Sequence, residues 1–171
     1  SDVSVPVDSG SDAATPDSGC TPPAGNFAFC GTASATNAYS SYGPERANDG
    51  DLNTSWFAES NTCPAGTCPG VTIKVDVVLD TARSIGRIKL FGNREYESSY
   101  DTLTARIQLL NAANSVVYTT DVTTPRGTEP NGDVNHVVSP SAVSGVKTIR
   151  VIVLTGESAG PGFAEVEAYA N

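Results

Sequence analysis

Basic residues are scarce in this chain. Lys and Arg number 10 against 19 Asp and Glu, for a net charge of −9, and nowhere do they cluster. Phosphate-rich partners are held by such clusters, so nucleic acid and anionic membranes are excluded as main partners. No apolar run approaches the ~20 residues needed to span a bilayer, so no transmembrane segment is expected. Histidine occurs once, at His136, inside a valine-rich stretch. A lone strand histidine is more often packing or surface than catalysis, and Ser-His-Asp chemistry needs a nucleophile poised beside it. A Gly-x-Ser-x-Gly elbow and a phosphate-cradling glycine loop are both missing. Carboxylate pairs such as Asp49/Asp51 and Glu165/Glu167 can imitate a glycosidase pair, but solvated or metal-bound roles suit them better. No enzymatic activity is expected.

Cysteines are few, at Cys20, Cys30, Cys63 and Cys68, and lack the Cys-x-x-Cys knuckles of a zinc site. Disulfides in an oxidising compartment fit them better. Four cysteines allow three connectivities. Cys63-Pro-Ala-Gly-Thr-Cys68 can close a tight loop, and Cys20 with Cys30 can tie the leading segment to the first strand. That leading segment, residues 1–22, reads as a flexible tether. From Ser1 to Gly19 it is Ser, Asp, Ala, Pro and Gly with little to bury, and it holds Asp2, Asp8, Asp12 and Asp17 without any Lys or Arg. Such a segment cannot offset its own ordering entropy. No signal-peptide pattern is visible, so the chain is expected to begin after a processing site. Residues 23–171 then form one domain, in a chain long enough to bury roughly 70% of its unfolded surface.

The periodicity is β throughout. Ile73, Val75, Val77 and Leu79 alternate with Thr72, Lys74, Asp76 and Val78. Ile88 and Leu90 mark a second strand face, and Leu103, Ile107 and Leu109 a third. Asn111-Ala-Ala-Asn114 reads as a hairpin turn into Val116, Val117 and Tyr118. Val134, His136 and Val138 alternate, as do Ile149, Val151 and Val153. No window holds a helical period over two turns, and short strands with Pro/Gly-rich connections imply a sandwich.

The richest stretch is Ala47-Asn48-Asp49-Gly50-Asp51-Leu52-Asn53-Thr54-Ser55-Trp56, which sets hard oxygen ligands and a turn glycine ahead of the sole tryptophan. Calcium takes roughly six to eight such oxygens. An EF-hand fits the acidic or amide residues Asp49, Asp51 and Asn53. It fails where Thr54 replaces the turn glycine and where Ser60 replaces the bidentate glutamate. A plain Asp-Gly turn before a strand, with Trp56 in the core, is the other reading of the same spacing.

Around this stretch lie Thr32-Ala-Ser-Ala35 before it, then Val71-Thr-Ile-Lys-Val-Asp76 and Ile85-Gly-Arg-Ile-Lys-Leu90. Ile149-Arg-Val151 and Gly162-Phe-Ala-Glu-Val-Glu-Ala-Tyr169 close the chain. In this order the motifs resemble the galactose-binding-like family, meaning discoidin (coagulation factor V/VIII type C) domains and related carbohydrate-binding modules. The resemblance implies an all-β, eight-stranded antiparallel jelly roll. It also implies a structural Ca²⁺ held by the backbone carbonyls of Arg46, Asp51 and Ala164, the side chains of Asp49 and Glu165, and both oxygens of Thr54. That is about seven oxygens, within calcium's usual range.

A binding module follows as the expected function, carbohydrate being the expected ligand. Sugar recognition needs an aromatic face for the C–H side of the ring and a few directed hydrogen-bond groups. Tyr39, Tyr42, Phe57, Tyr96 and Tyr100 supply aromatics in expected loops, and Asn93-Arg94 supplies donors past a strand end. Galactose-binding relatives tend to carry a histidine after the tryptophan, where this chain has Phe57, and an arginine that Arg94 matches. Asn93-Arg94 also echoes a pair in fucose-binding relatives. Equally, Arg94 can pair with Glu95 or Glu97. The expected partner is a glycan or glycoconjugate. A surface protein is the alternative, as in discoidin-type adhesion, and the expected location is secreted or tethered outside the cell.

Overall fold

The computed structural model describes residues 20–124 and 132–171. The expected tether through Gly19 therefore lies outside the described residues. Among the described residues nine strands form: β1 (Thr32–Ala35), β2 (Trp56–Phe57), β3 (Lys74–Ile85), β4 (Arg87–Gly92), β5 (Thr102–Asn111), β6 (Val116–Thr123), β7 (Val134–Val137), β8 (Val143–Gly156) and β9 (Gly162–Tyr169). Eight of them have four or more residues, and β2 is a two-residue addition. The only helical pieces among the described residues are short 3-10 turns.

Two antiparallel sheets stack face to face, a β-sandwich as the resemblance implied. One sheet runs β1-β3-β8-β5-β6 and the other β2-β9-β4-β7. The period-two pattern explains the layering. Val75, Val77 and Leu79 of β3 are buried, while Lys74 and Asp76 between them are half-buried on the outer face. Ile88 and Leu90 of β4 do the same from the opposite sheet. β8 is central, paired with β3 on one side and β5 on the other, and buries Ile149, Val151, Ile152 and Val153. Truncating one of these, as in Val151→Ala or Leu109→Ala, is expected to cost ~2–5 kcal/mol through lost transfer energy and a residual cavity.

The hairpin joining β5 to β6 is built as its sequence suggested. Asn111 Oδ1 accepts the N–H groups of Ala113 and Ser115, each at 3.0 Å, and Asn114 takes φ 58°. Both disulfides form, Cys20–Cys30 and Cys63–Cys68, the latter with Cα atoms 4.0 Å apart, just under the ~4.4–6.8 Å usual for a disulfide. With no free cysteine among the described residues, a thiolate zinc site is excluded there.

Trp56 plugs one end of the core. It is fully buried, its ring centroid sits 5.4 Å from that of Phe163, and its indole N–H donates to Asn37 O at 3.0 Å. β2 reaches β9 through Trp56 opposite Phe163 and Phe57 opposite Gly162. That approach requires glycine at 162, because a Cβ there would stand 2.3 Å from Trp56 O. A β-bulge follows at once. Gly92 pairs with Phe163 but Phe91 with Glu165, so Ala164 is the extra residue, outside the β4 ladder.

Candidate functional site

Two constructions occupy the same end of the sandwich, on either side of the 3-10 turn Pro44–Ala47. The first is an aromatic cleft of about 390 Å³, lined by Tyr39, Tyr42, Phe57, Tyr96 and Tyr100, with Ser60, Asn61 and the Ser158-Ala159-Gly160 turn opposite. Its size is at the lower end of the ~300–1,000 Å³ range of small-molecule sites. The rings brace one another. Tyr42 stands edge-on to Phe57 and Tyr96, at centroid distances of 5.3 and 5.6 Å, and Tyr100 stands edge-on to Phe57 at 6.0 Å. The Tyr42 and Tyr96 hydroxyls hydrogen-bond to each other, and that bond pushes the Tyr42 hydroxyl up to about 12. Phe57 is buried, while Tyr96 is 52% and Tyr39 49% exposed, so a ligand meets a wall of rings with a solvated rim.

Each wall has its own support. Tyr39 N donates to Phe57 O at 2.9 Å, fixing the first loop on β2. The Ser158–Gly160 wall rests on the disulfide loop, since Cys63 N donates to Ala159 O at 3.0 Å and Cys68 N to Leu154 O at 2.9 Å. Behind Tyr42, Arg46 lies 4.8 Å from the ring centroid and contacts both oxygens of Glu95 at 3.0 Å. Glu95 in turn accepts the Ser55 N–H at 2.8 Å.

Of the residues expected to bind ligand, Tyr39, Tyr42, Phe57 and Tyr96 come together in the cleft. Asn93 and Arg94 are not among its lining residues. Asn93 is 6% exposed and spends its amide on its own loop. Its oxygen accepts the N–H groups of Glu95 and Tyr96 at 3.0 Å, and its nitrogen donates to the carbonyls of Tyr96 and Glu97 and to Asp101. It shapes the loop that presents Tyr96. Arg94 turns away to Asp133 and lies 5.6 Å from the Phe91 ring centroid. Its carboxylate partner is Asp133, not Glu95 or Glu97. Desolvation raises the Asp133 carboxyl against the pull of Arg94 and the Gly92 N–H. Ser60, Asn61 and Ser158–Gly160 were missed as lining residues. Their only signal was the Ser-Ala-Gly-Pro-Gly turn before the last strand, which marks a loop and nothing about its neighbours.

The second construction is the loop from Asp49 to Thr54, folded onto β9. Thr54 Oγ1 donates to Asp49 Oδ2 at 2.8 Å, and Asp51 O accepts from Thr54 N and Oγ1 at 3.2 and 3.0 Å. The Asp51 side chain turns aside to Asn53. Gly50, at φ 80°, donates its N–H to Glu165 Oε2 at 3.3 Å. Glu165 is fully buried, and its other oxygen, Oε1, has no hydrogen-bond partner. Burial pushes its carboxyl up to about 8, with the Asp49 and Glu167 charges adding to the push. A buried, half-satisfied carboxylate beside a second carboxylate is unstable without a compensating cation. The residues therefore fit a hard cation. Among the described residues no cluster of three or more His, Cys, Asp or Glu forms. The donor set has two carboxylates, and the bulge frees the Ala164 carbonyl from the β4 ladder.

The whole architecture has close structural counterparts. One is a fucose-binding module from Streptococcus pneumoniae, with TM-score 0.65 and 18% identity over 85% of this chain and 95% of that one. Another is an F5/8 type C domain from Bacteroides fragilis, with TM-score 0.58 and 26% identity over 81% of this chain and 90% of that one. The fold is the one these two domains share. A further counterpart of this discoidin-type fold is a family 32 carbohydrate-binding module from C. perfringens, solved in complex with galactose. Its TM-score is 0.64, with 20% identity over 83% of this chain and 95% of that one. No sequence-family model and no curated protein sequence matches the chain.

Proposed function

We propose that this discoidin-type domain is a non-catalytic carbohydrate-binding module, lectin-like, working outside the cell and stabilised by a structural calcium ion. One observation carries the reading: the aromatic cleft, in which five rings from two loops and strand β2 stand around a solvent-open space at one end of a rigid sandwich. Aromatic walls receive the C–H faces of sugar rings. Tyrosine hydroxyls, Ser60, Asn61 and Ser158 supply the donors and acceptors that sugar hydroxyls require. Solved relatives of the fold that bind fucose, galactose or the Lewis B antigen support this choice of ligand. Two disulfides support an oxidising compartment.

Calcium belongs to the same proposal. Asp49, Thr54 and Glu165 would hold it through side-chain oxygens, with the carbonyls of Arg46, Asp51 and Ala164. When bound it supplies positive charge to the buried Glu165 and ties an early loop to the last strand. A glycan array probed with and without chelator tests the function. Binding to defined oligosaccharides is the expected result. Silence across the array, with specific capture of a surface protein, would move the assignment to adhesion.

A further inference from the structure

The chemistry of the cleft wall narrows the ligand. Among the described residues that line it, every side chain is neutral: tyrosines, Phe57, Ser60, Asn61, Ser158 and small residues. An anionic sugar brought against such a wall loses its hydration and gains no cation in return. A cation does pack against one wall ring: the Arg46 guanidinium lies 4.8 Å from the Tyr42 ring centroid. That charge is spent. Glu95 meets Arg46 with both oxygens at 3.0 Å, and both side chains are largely shielded, at 25% and 23% exposure. Arg94, the other arginine of this end, is held by Asp133 and faces the Phe91 ring. The chain's net charge of −9 adds a repulsive field to any anion approaching.

We infer that the cleft selects uncharged sugars and rejects sialylated, sulfated and uronate ones, and that Glu95 sets this selectivity by neutralising Arg46 behind the Tyr42 wall. The inference rests on the sugar-binding reading and adds a ligand class to it. Glu95 touches no ligand; it acts through Arg46. A glutamine at 95 keeps an acceptor for Ser55 N–H and for Arg46, so the wall stays in place while the arginine's charge is released toward the cleft.

The test uses the whole chain on a panel of neutral oligosaccharides, each printed beside its sulfated and sialylated versions, followed by titration of the best pairs. Neutral members should bind about tenfold or more tightly than their acidic versions, as expected for a desolvated anion without a partner. Glu95→Gln should leave neutral affinity within about twofold and shrink the neutral-to-acidic ratio at least about threefold. A purely structural role for Glu95 would weaken both classes alike and leave the ratio unmoved, which overturns its assignment. Acidic versions bound as tightly as neutral ones by the wild type would overturn the selectivity while sparing the sugar-binding reading. Silence on every member would instead remove that reading, and the inference with it.

Discussion

The two constructions at this end of the sandwich handle charge in opposite ways. Asp49 and Glu165 bring two carboxylates together, one fully buried with an unpartnered oxygen. A few residues away, across the Pro44–Ala47 turn, the cleft presents rings and hydroxyls, and the arginine against the Tyr42 ring is cancelled by Glu95. The first arrangement is costly until a cation arrives. The second is stable by itself and offers a ligand stacking area and hydrogen bonds without charge. On the proposed reading, the fold separates a calcium site from a sugar site by where it leaves charge uncompensated. Arg46 would join them, its guanidinium against the Tyr42 ring and its carbonyl in the proposed calcium shell.

The largest effect should come from emptying the acidic side. Calcium bound to the folded form alone, at 100 to 1,000 times its dissociation constant, adds about 2.7–4.1 kcal/mol. At ~2–4 °C per kcal/mol for a domain of this size, chelator should lower Tm by about 5–15 °C. Asp49→Ala should abolish that sensitivity. Glu165→Gln, which removes the carboxylate calcium would bind, should no longer respond to calcium. A melting curve indifferent to calcium and chelator would break the comparison, because both constructions would then be self-sufficient.

Next comes the neutral side. Tyr96→Ala should weaken glycan binding about tenfold or more, roughly 1.4 kcal/mol. Because Tyr96 is 52% exposed, Tm should move by only a few degrees. A matching loss of stability and affinity would show the rings to be core and not recognition surface.

The smallest expected effect lies away from both sites. His136 Nε2 meets the Tyr118 hydroxyl at 2.7 Å, joining β7 of one sheet to β6 of the other, and burial holds the imidazole below its ordinary value. The folded form therefore resists protonation. Its contribution is complete above the unfolded value of ~6.5 and is lost as pH falls through the lower folded value. In calcium, denaturant midpoints should fall slightly more for wild type than for His136→Asn between about pH 7 and pH 5. Parallel curves would show that the histidine is not desolvated enough to matter.

The contrast between the constructions also explains what could be read from the chain. The acidic loop is local: Asp49, Gly50, Asp51 and Thr54 lie within one turn of sequence, and hard-ligand chemistry has a recognisable spacing. The strands were legible for the same reason, since alternation in β3 and β8 is a local pattern. The cleft draws on segments around residues 39, 57, 96 and 158, brought together only by the β2–β9 pairing and the disulfide loop. Its tyrosines were legible as loop residues, but Phe57 falls in β2 instead of a loop, and the convergence of the rings was not legible. Arg94 shows the limit most clearly. Its position after a strand suggested a donor for ligand, yet its partner is Asp133, 39 residues further along, and no local pattern announces that pair. Asn93 shows the same ambiguity, because an amide able to address a sugar is equally able to satisfy its own loop.

The most direct test of the central claim asks where a glycan lands. Backbone and aromatic-ring NMR shifts, followed while the best-bound oligosaccharide from the array is titrated into calcium-loaded protein, distinguish the two candidate surfaces. Shifts concentrated on Tyr39, Tyr42, Phe57, Tyr96, Tyr100 and the Ser158–Gly160 turn, with Phe91 and Arg94 unmoved, are the predicted result. Shifts centred on Phe91, Arg94 and Asp133, with the rings silent, would contradict the account.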